Sequence, residues 1–271
     1  MSYMKEMEAV VEELRKARSV ALAVLVKKRG SVPRNLGARM VVREDGSTIG
    51  TLGGGPFERM VSAEALAALT EGESLVKKYV FREEGVSEAE KTGLICGGEA
   101  EVFLDVLKPG PRVLLIGAGH LGYAIAETAS RAGFRVAVAD SDSKLANRER
   151  FAAAEKIVVD DFEKCVEGLE PSEEDMVLIV SGVVEEDFKV LRKALEASSR
   201  YVGMLGSKNK CAEFLRRLRD MGYTEEQLRG RVYMPIGIDI GADTPEEIAV
   251  AVVAEMISFL KGGNVKHLTI V

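Results

Sequence analysis

The sequence predicts an α/β protein, with an N-terminal α+β domain followed by a C-terminal Rossmann-like, doubly wound parallel sheet. Two observations support this fold class: a glycine-rich turn lies between two apolar runs in residues 112–140, and strand and helix patterns alternate after it. A third observation sets the boundary, because the segment LKPGP at residues 107–111 interrupts both kinds of pattern. We therefore expect domains at residues 1–108 and 109–271.

The glycine-rich turn has the spacing GxGxxG. Gly117, Gly119 and Gly122 follow the apolar run VLLI, and Asp140 ends the next apolar run. In a dinucleotide-binding fold the first glycine permits a tight turn, the second lets the backbone approach a pyrophosphate, and the third lets the helix pack closely on the sheet. The acid accepts hydrogen bonds from a ribose 2′-hydroxyl. The pattern predicts a nucleotide site, and a βαβ unit without a ligand is the alternative.

Three more residues are predicted to face the same crevice. His120 lies inside the glycine-rich turn, where its imidazole could point at a ligand. Ser181 and Gly182 end the fourth predicted strand, which should neighbour the first strand at the switch point where such sheets bind ligands. The sequence shows no Ser/His/Asp or paired-carboxylate arrangement, so catalytic residues stay unassigned.

A second glycine-rich segment lies in the N-terminal domain. Gly53, Gly54 and Gly55 precede a predicted helix that begins near Pro56. Consecutive glycines before a helix expose backbone N–H groups that suit an anion, although a simple turn needing positive φ explains them equally well. Arg34 could pair with a phosphate there, and a solvated surface arginine is the alternative.

Cys96 stands directly before two glycines in the segment GLICGGE. A thiolate in such a turn could contact a metal or carry sulfur, whereas most free cysteines are small buried hydrophobic residues. The chain has three cysteines without CxxC spacing and two histidines, which argues against a disulfide framework, a zinc ribbon and a histidine-rich metal site.

The remaining patterns predict the rest of the C-terminal domain. Residues 141–154 (SDSKLANRERFAAA) are expected to form a helix, and KIVVD, DMVLIVSG and YVGMLGS are expected to form strands. Thr244 and Glu247 have the spacing of a capping box before a long apolar helix. Ser207 is either a helix cap or a crevice residue.

Composition limits the classes of partner. The net charge is −6, and acidic and basic residues alternate along the predicted helices, so we expect neither nucleic acid nor an anionic membrane as a partner. The first residues read as an amphipathic helix and not as a secretory signal, and no apolar run is long enough to cross a bilayer. We expect a soluble, cytoplasmic protein.

The motifs together resemble the xanthine dehydrogenase accessory factor (XdhC/CoxI) family. The segments that carry the resemblance extend over nearly the whole chain in family order: GSVPRNLGARMVV, GTLGGGPFE, CGGEAEVFL, VLLIGAGHLG, YVGMLGSKNK and PIGIDIGADTPEEIAVAVVAE. The resemblance implies an N-terminal XdhC/CoxI-like domain and a C-terminal Rossmann domain, commonly in a homodimer. It also implies that the chain acts as a maturation chaperone more than as a catalyst.

The resemblance further implies a ligand and partners. Family members bind molybdenum cofactor (molybdopterin), protect it while it is sulfurated and help to insert it into a xanthine dehydrogenase-like molybdoenzyme, with a cysteine desulfurase as a candidate partner. Cys96 matches the family's CGG cysteine, which implies a molybdenum contact. Where many members have a second cysteine, after the Gly-Gly of the first loop, this chain has Pro56. A mechanism that needs two thiols in that domain is therefore in doubt.

Two other functions remain open. The chain could be an NAD-dependent oxidoreductase acting on a small molecule, in which Asp140 selects NAD and His120 helps to move a proton. It could also be a regulator that senses a nucleotide and performs no chemistry. Release of cofactor to a partner, steady NADH turnover, and ligand-dependent partner binding distinguish the three.

Overall fold

The protein is described by a computed structural model that covers residues 3–81, 90–91, 98–197 and 199–265. The chain divides into two compact units, Met1–Pro109 and Gly110–Val271. Each unit contains its own six-stranded sheet. Each therefore has a separate hydrophobic core.

The first unit is a mainly antiparallel sheet with two helices. The elements are α1 (Met4–Arg15), β1 (Val20–Arg29), β2 (Arg39–Arg43), β3 (Thr48–Gly50), α2 (Gly55–Glu71), β4 (Leu75–Val80), β5 (Glu90–Lys91) and β6 (Glu99–Leu107). The strands lie in the order β3-β2-β1-β6-β4-β5, and among the described residues only β4 and β5 pair in parallel. The turn at Asp45 and Gly46 joins β2 to its antiparallel neighbour β3, a connection to which an Asp-Gly pair is well suited.

The core of this unit follows from the alternation of apolar residues along its strands. One face of the sheet packs against α2, where the ring of Phe57 meets those of Tyr79 and Phe81 edge to face. The opposite face contacts α1 through Ala9 and Val10. The helices thus cover both faces of the sheet. The loop between β1 and β2 contains Arg34, and the glycine-rich segment lies between the edge strand β3 and α2.

The second unit is a parallel, doubly wound sheet, which confirms the predicted Rossmann-like fold. The elements are β7 (Arg112–Ile116), α3 (His120–Arg131), β8 (Arg135–Asp140), β9 (Lys156–Val159), α4 (Phe162–Leu169), β10 (Met176–Ile179), α5 (Val184–Glu196), β11 (Tyr201–Met204), α6 (Lys208–Asp220), α7 (Glu225–Leu228), β12 (Val232–Tyr233) and α8 (Pro245–Lys261). The strand order is β12-β11-β10-β7-β8-β9.

Apolar clusters cover both faces of this sheet. Helices α3 and α8 bury one face, and α4, α5 and α6 bury the other. Strands β7, β10 and β11 are buried along most of their length, as expected for parallel strands between two helical layers. The polar residues at the carboxyl ends of these strands are therefore positioned by a rigid core.

Residues 141–154 form turns, so the predicted helix there is wrong. In this segment, side chains form hydrogen bonds with backbone amides and carbonyls that would pair with each other in a helix. The carboxylate of Asp140 accepts the amide of Asp142, and Asn147 Nδ2 donates to the carbonyls of Ser143 and Lys144. These local hydrogen bonds compete with helical ones, which is common for Asp and Asn.

The C-terminal helix has the start that the sequence predicts. The Thr244 hydroxyl accepts the amide of Glu247, and the Glu247 carboxylate accepts the amide of Thr244, which completes a capping box before Pro245. Across the described residues, no helix combines the length and the apolar character that a membrane crossing requires.

Candidate functional site

The glycine-rich turn after β7 has one tightly packed side and one open side. A Cβ at Gly117, where φ is 112°, would lie 2.6 Å from the amide nitrogen of Ser181. A Cβ at Gly122 would lie 1.9 Å from the carbonyl oxygen of Gly117. A Cβ at Gly119, in contrast, would meet no atom of the described residues within 4 Å. The first and third glycines are thus required by the fold, whereas the second borders open space.

The N-terminus of α3 opens onto that space. Gly119 is its N-cap, its first turn contains no acidic residue, and no side chain in the described part of the protein caps it. Among those residues its first amides therefore have no side-chain partner, and they carry the partial positive charge of the helix. His120, the first residue of α3, is exposed. This arrangement suits a phosphate or another anion.

The carboxylate of Asp140 stabilises the glycine-rich turn. The residue is 5% exposed, and its Oδ2 accepts the amide of Ala118 at 2.6 Å. Its Oδ1 accepts the amide of Asp142 at 2.9 Å. Each carboxylate oxygen has a second lone pair, so the same group can still accept a ribose hydroxyl. The carboxylate therefore fixes the loop whether or not it also contacts a ligand.

Arg150 is a residue that the sequence analysis missed. Its Nη1 donates to the carbonyl oxygens of Ala118 and Leu145, at 2.7 and 2.8 Å. The guanidinium also lies 5.6 Å from the ring centre of Tyr123 and 5.4 Å from that of Phe151. It places a positive charge against the turn. No sequence signal singles it out, because it lies in the segment predicted as a helix.

Ser181 and Gly182 lie at the same edge of the sheet. Strand β10 pairs in parallel with β7, which confirms that the fourth strand neighbours the first. The Ser181 hydroxyl donates to Oδ1 of the fully buried Asp187 at 2.5 Å. The second unit thus brings the predicted residues of the crevice together at one edge: Gly117, Gly119, His120, Gly122, Asp140, Ser181 and Gly182.

The glycine segment of the first unit holds an anion from the chain itself. Oε1 of Glu58 accepts the amides of Leu52, Gly53 and Gly54 at 2.8, 3.0 and 2.7 Å, and it also accepts the Thr51 hydroxyl. Gly53, Gly54 and Gly55 all have positive φ. The predicted nest of amides therefore exists, and a carboxylate occupies it.

The electrostatics of Glu58 fit this arrangement. Burial raises its pKa, but the hydrogen bonds from Thr51 and from the amides of Gly54, Leu52 and Gly53 outweigh burial and hold the pKa below its ordinary value. The group is therefore ionised at neutral pH. A helix-start acid four residues after Gly54 is a sequence signal from which this interaction could have been predicted.

A cavity of about 190 Å³ adjoins this nest through Thr51. Arg34, Arg39 and Tyr3 contribute to its lining, and the Arg39 guanidinium lies 4.8 Å from the centre of the Tyr3 ring. The Nε of Arg39 is buried and, among the described residues, has no hydrogen-bond partner. The cavity thus presents two cationic side chains beside the nest.

Cys96 lies outside the described residues, so its predicted metal contact stays a prediction. Cys165 and Cys211 are buried, and burial raises the pKa of both thiols, which keeps them protonated. Within the described part of the chain, no three His, Cys, Asp or Glu residues are grouped so that they could hold a metal ion.

Comparison with known families decides the classification. The XdhC Rossmann domain matches residues 113–256, and the XdhC and CoxI family domain matches residues 13–80. The chain belongs to the XdhC/CoxI family. The two matches fall in different structural units, and the first of them covers the whole glycine-rich crevice.

Individual relatives agree with this membership. The Escherichia coli protein YqeB is 40% identical over 238 residues, and the match covers 88% of this chain but only 43% of YqeB. The E. coli protein PaoD, named a molybdenum cofactor insertion chaperone, is 26% identical, and the match covers 92% of this chain and 86% of PaoD. The chain therefore spans less than half the length of YqeB and most of the length of PaoD.

One solved structure shares the fold over the whole chain. It is a crystal structure described as a xanthine dehydrogenase from Bacillus halodurans, with a TM-score of 0.54 and 21% sequence identity. The alignment covers 98% of this chain and 97% of that one. At this identity the likeness shows a shared fold and carries no statement about activity.

Proposed function

We propose that this member of the XdhC/CoxI family is an accessory factor that binds molybdenum cofactor, protects it and helps to insert it into a xanthine dehydrogenase-like molybdoenzyme. The observation that carries the proposal is the alignment, over 92% of the chain, with a protein named a molybdenum cofactor insertion chaperone. That alignment spans most of both proteins, so it concerns the whole architecture and not the Rossmann fold alone.

The first unit offers groups that fit an anionic, oxygen-rich cofactor. Its glycine nest already binds an anionic oxygen, that of Glu58, through three amides and one hydroxyl. A phosphate of the cofactor would take the same place once Glu58 turns away, with Arg34 beside it. The adjoining cavity alone is smaller than the roughly 300–1,000 Å³ of typical small-molecule sites, so the cofactor would extend beyond it.

Cys96 is the residue that we propose to lie near molybdenum. When bound, the cofactor supplies a redox-active metal centre, and the chain's own task is to hold the cofactor and exclude water. The Cys96→Ser variant tests the thiol. We expect faster loss of molybdenum cofactor from this variant than from the wild type under anaerobic conditions, and unchanged retention would refute a role for the thiol. The Cys211→Ser variant, which changes a buried thiol in the other unit, is the control.

The crevice of the second unit is proposed to hold NAD(P) or another nucleotide. The uncapped start of α3 would receive the phosphates, and Asp140 would accept the ribose hydroxyl. Asp142, the exposed acid two residues later, adds a second negative charge that disfavours a 2′-phosphate at this end. The groups that line the crevice thus favour the unphosphorylated ribose.

The setting of this activity is part of the same proposal. We infer a homodimer in the cytoplasm that meets a xanthine dehydrogenase-like client and receives sulfur through a cysteine desulfurase. Size-exclusion chromatography with light scattering tests the dimer, and co-purification with the client tests the partnership. A monomer at micromolar concentration would refute the first statement.

An NAD-dependent oxidoreductase acting on a small molecule is the second candidate. Its support is the parallel sheet with an open glycine turn and a buried acid at the end of β8. One experiment separates the candidates: the chain, loaded anaerobically with molybdenum cofactor, is mixed with a cofactor-free molybdoenzyme. Stoichiometric recovery of client activity supports the accessory factor. No transfer, together with steady NADH oxidation in the presence of a small substrate, would replace it with the oxidoreductase.

A further inference from the structure

The carboxyl ends of strands β10 and β11 border the nucleotide crevice on the side away from Asp140. The backbone of Ser181 passes so close to Gly117 that a Cβ on Gly117 would lie 2.6 Å from the Ser181 nitrogen and 2.7 Å from its Cα. In an open parallel sheet, ligands cross the sheet edge at this switch between neighbouring strands. A ligand anchored at α3 that extends past Gly117 therefore reaches the ends of β10 and β11.

A cluster of three polar side chains lies there, with a buried carboxylate between two partly exposed groups. Asp187 is 0% exposed, and its Oδ2 accepts Nζ of Lys210 at 2.5 Å. Its Oδ1 accepts the Ser181 hydroxyl at 2.5 Å, and that hydroxyl accepts the amide of Val183 at 3.2 Å. Lys210 Nζ also donates to the carbonyl of Leu205 at 3.4 Å. Asp187 thus orients a hydroxyl and an ammonium group from different elements.

Stability alone does not account well for this cluster. Removing two charges from water costs about as much free energy as their attraction returns, so apolar residues of similar volume usually stabilise a core equally well. The cluster also does not saturate its donors. An ammonium group has three N–H bonds, and within the described residues its hydrogen bonds to Asp187 and Leu205 use two of them, while Nζ also lies 5.5 Å from the centre of the Phe214 ring. The Lys210 side chain keeps 15% of its surface exposed.

We propose that Lys210, held by Asp187 beside Ser181, binds an oxygen atom in the distal half of a two-part nucleotide whose pyrophosphate lies at the start of α3. Asp187 is the positioning residue, because it fixes Lys210 and Ser181 without facing the ligand itself. The inference rests on the proposed nucleotide site in the crevice. It adds that the crevice recognises more than a single nucleoside diphosphate.

The test compares a short and a long ligand on the full chain. ADP fills only the first half of the crevice, whereas NADH fills both halves. We expect the Lys210→Met variant to bind NADH about 10-fold or more weakly than the wild type, since it loses a hydrogen bond from a charged group. Its affinity for ADP should stay within about 2-fold, because ADP does not reach Lys210.

Lys208 provides the matched control, because it lies on the same helix with an exposed side chain. Lys208→Met should leave both affinities unchanged. Lys210→Arg keeps a positive charge beside Asp187 but moves the donors, so it serves as a second variant if Lys210→Met does not fold. Asp187→Asn should also weaken the binding of NADH more than that of ADP. If Asp187 had a merely structural role, the substitution would change both affinities together with the melting temperature.

Two outcomes would overturn the inference, and they are distinguishable. If wild type binds ADP, and Lys210→Met and Lys210→Arg bind NADH as tightly as wild type does, the role of Lys210 is refuted while the nucleotide site stands. If wild type binds neither ADP nor NADH in calorimetric titration, the proposed nucleotide site itself is refuted and the inference with it.

Discussion

At the scale of single residues, the three glycines of the turn have different tasks, although they share one motif. Gly117 and Gly122 face backbone atoms at distances that no side chain tolerates, whereas Gly119 faces open space. The spacing in the sequence predicts the turn correctly. It does not show which glycine is required for folding and which one leaves room for a ligand, because that depends on Ser181, which is distant in sequence.

Replacing these glycines by alanine should separate folding from binding. We expect Gly122→Ala to destabilise the second unit by about 2 kcal/mol or more, because its Cβ would clash with the Gly117 carbonyl. Gly119→Ala should change stability by less than about 0.5 kcal/mol, since its φ of −64° suits any residue and no atom lies nearby. Urea unfolding measures both, and equal losses would contradict the assignment.

Asp140 gives a second prediction at this scale. Asp140→Asn keeps the shape but replaces one acceptor oxygen by an amide that faces a backbone N–H. We expect a loss of about 1–3 kcal/mol in the free energy of unfolding, because a buried donor is left without an acceptor. Asp161→Asn is the control, since Asp161 is 82% exposed and makes no side-chain cap bond. A stability like that of the control would show that Asp140 does not fix the turn.

At the scale of elements, α2 begins at a glycine nest that its own Glu58 fills. The pKa of this carboxyl is lowered in the folded state, so ionised Glu58 stabilises the first unit above the unfolded pKa, and this contribution is lost as the pH falls through the folded value. The stability that Glu58 gives to the first unit at the start of α2 therefore depends on pH.

Glu58→Gln should remove that link. At pH 7 we expect the variant to unfold at a lower urea concentration than wild type. The difference should shrink as the pH falls below the ordinary glutamate pKa of about 4.3 and through the lower pKa of folded Glu58. Glu8→Gln, which changes an exposed acid on α1, should show neither effect. A constant difference between Glu58→Gln and wild type from pH 7 to pH 3 would contradict this assignment.

The elements also show how far the sequence alone leads. The parallel strands, the hairpin at Asp45 and the capping box at Thr244 were predictable, because their signals are local and periodic. The false helix at residues 141–154 arose because Asn147 and Arg150 satisfy carbonyl groups with their side chains. The helix propensities of single residues do not account for such side-chain hydrogen bonds to the backbone.

At the scale of the whole molecule, the candidate site residues fall into two groups in two separate units. The crevice around Gly117 was predictable, because the motif and the strand order are linked by the fold. Glu58 in the nest, and Asp187 with Lys210 beside Ser181, were not predicted. They meet their partners only through tertiary packing, which brings distant segments to one edge of a sheet.

The most direct test of the account is a pair of anaerobic titrations, one with molybdenum cofactor and one with NADH, on wild type and on Gly119→Val. The valine points into the open space at the start of α3 and should block the approach of a pyrophosphate without disturbing the fold. The account predicts tight cofactor binding in both proteins, and NADH binding that the variant loses. No affinity for the cofactor, with tight NADH binding that Gly119→Val abolishes, would contradict it and favour an oxidoreductase.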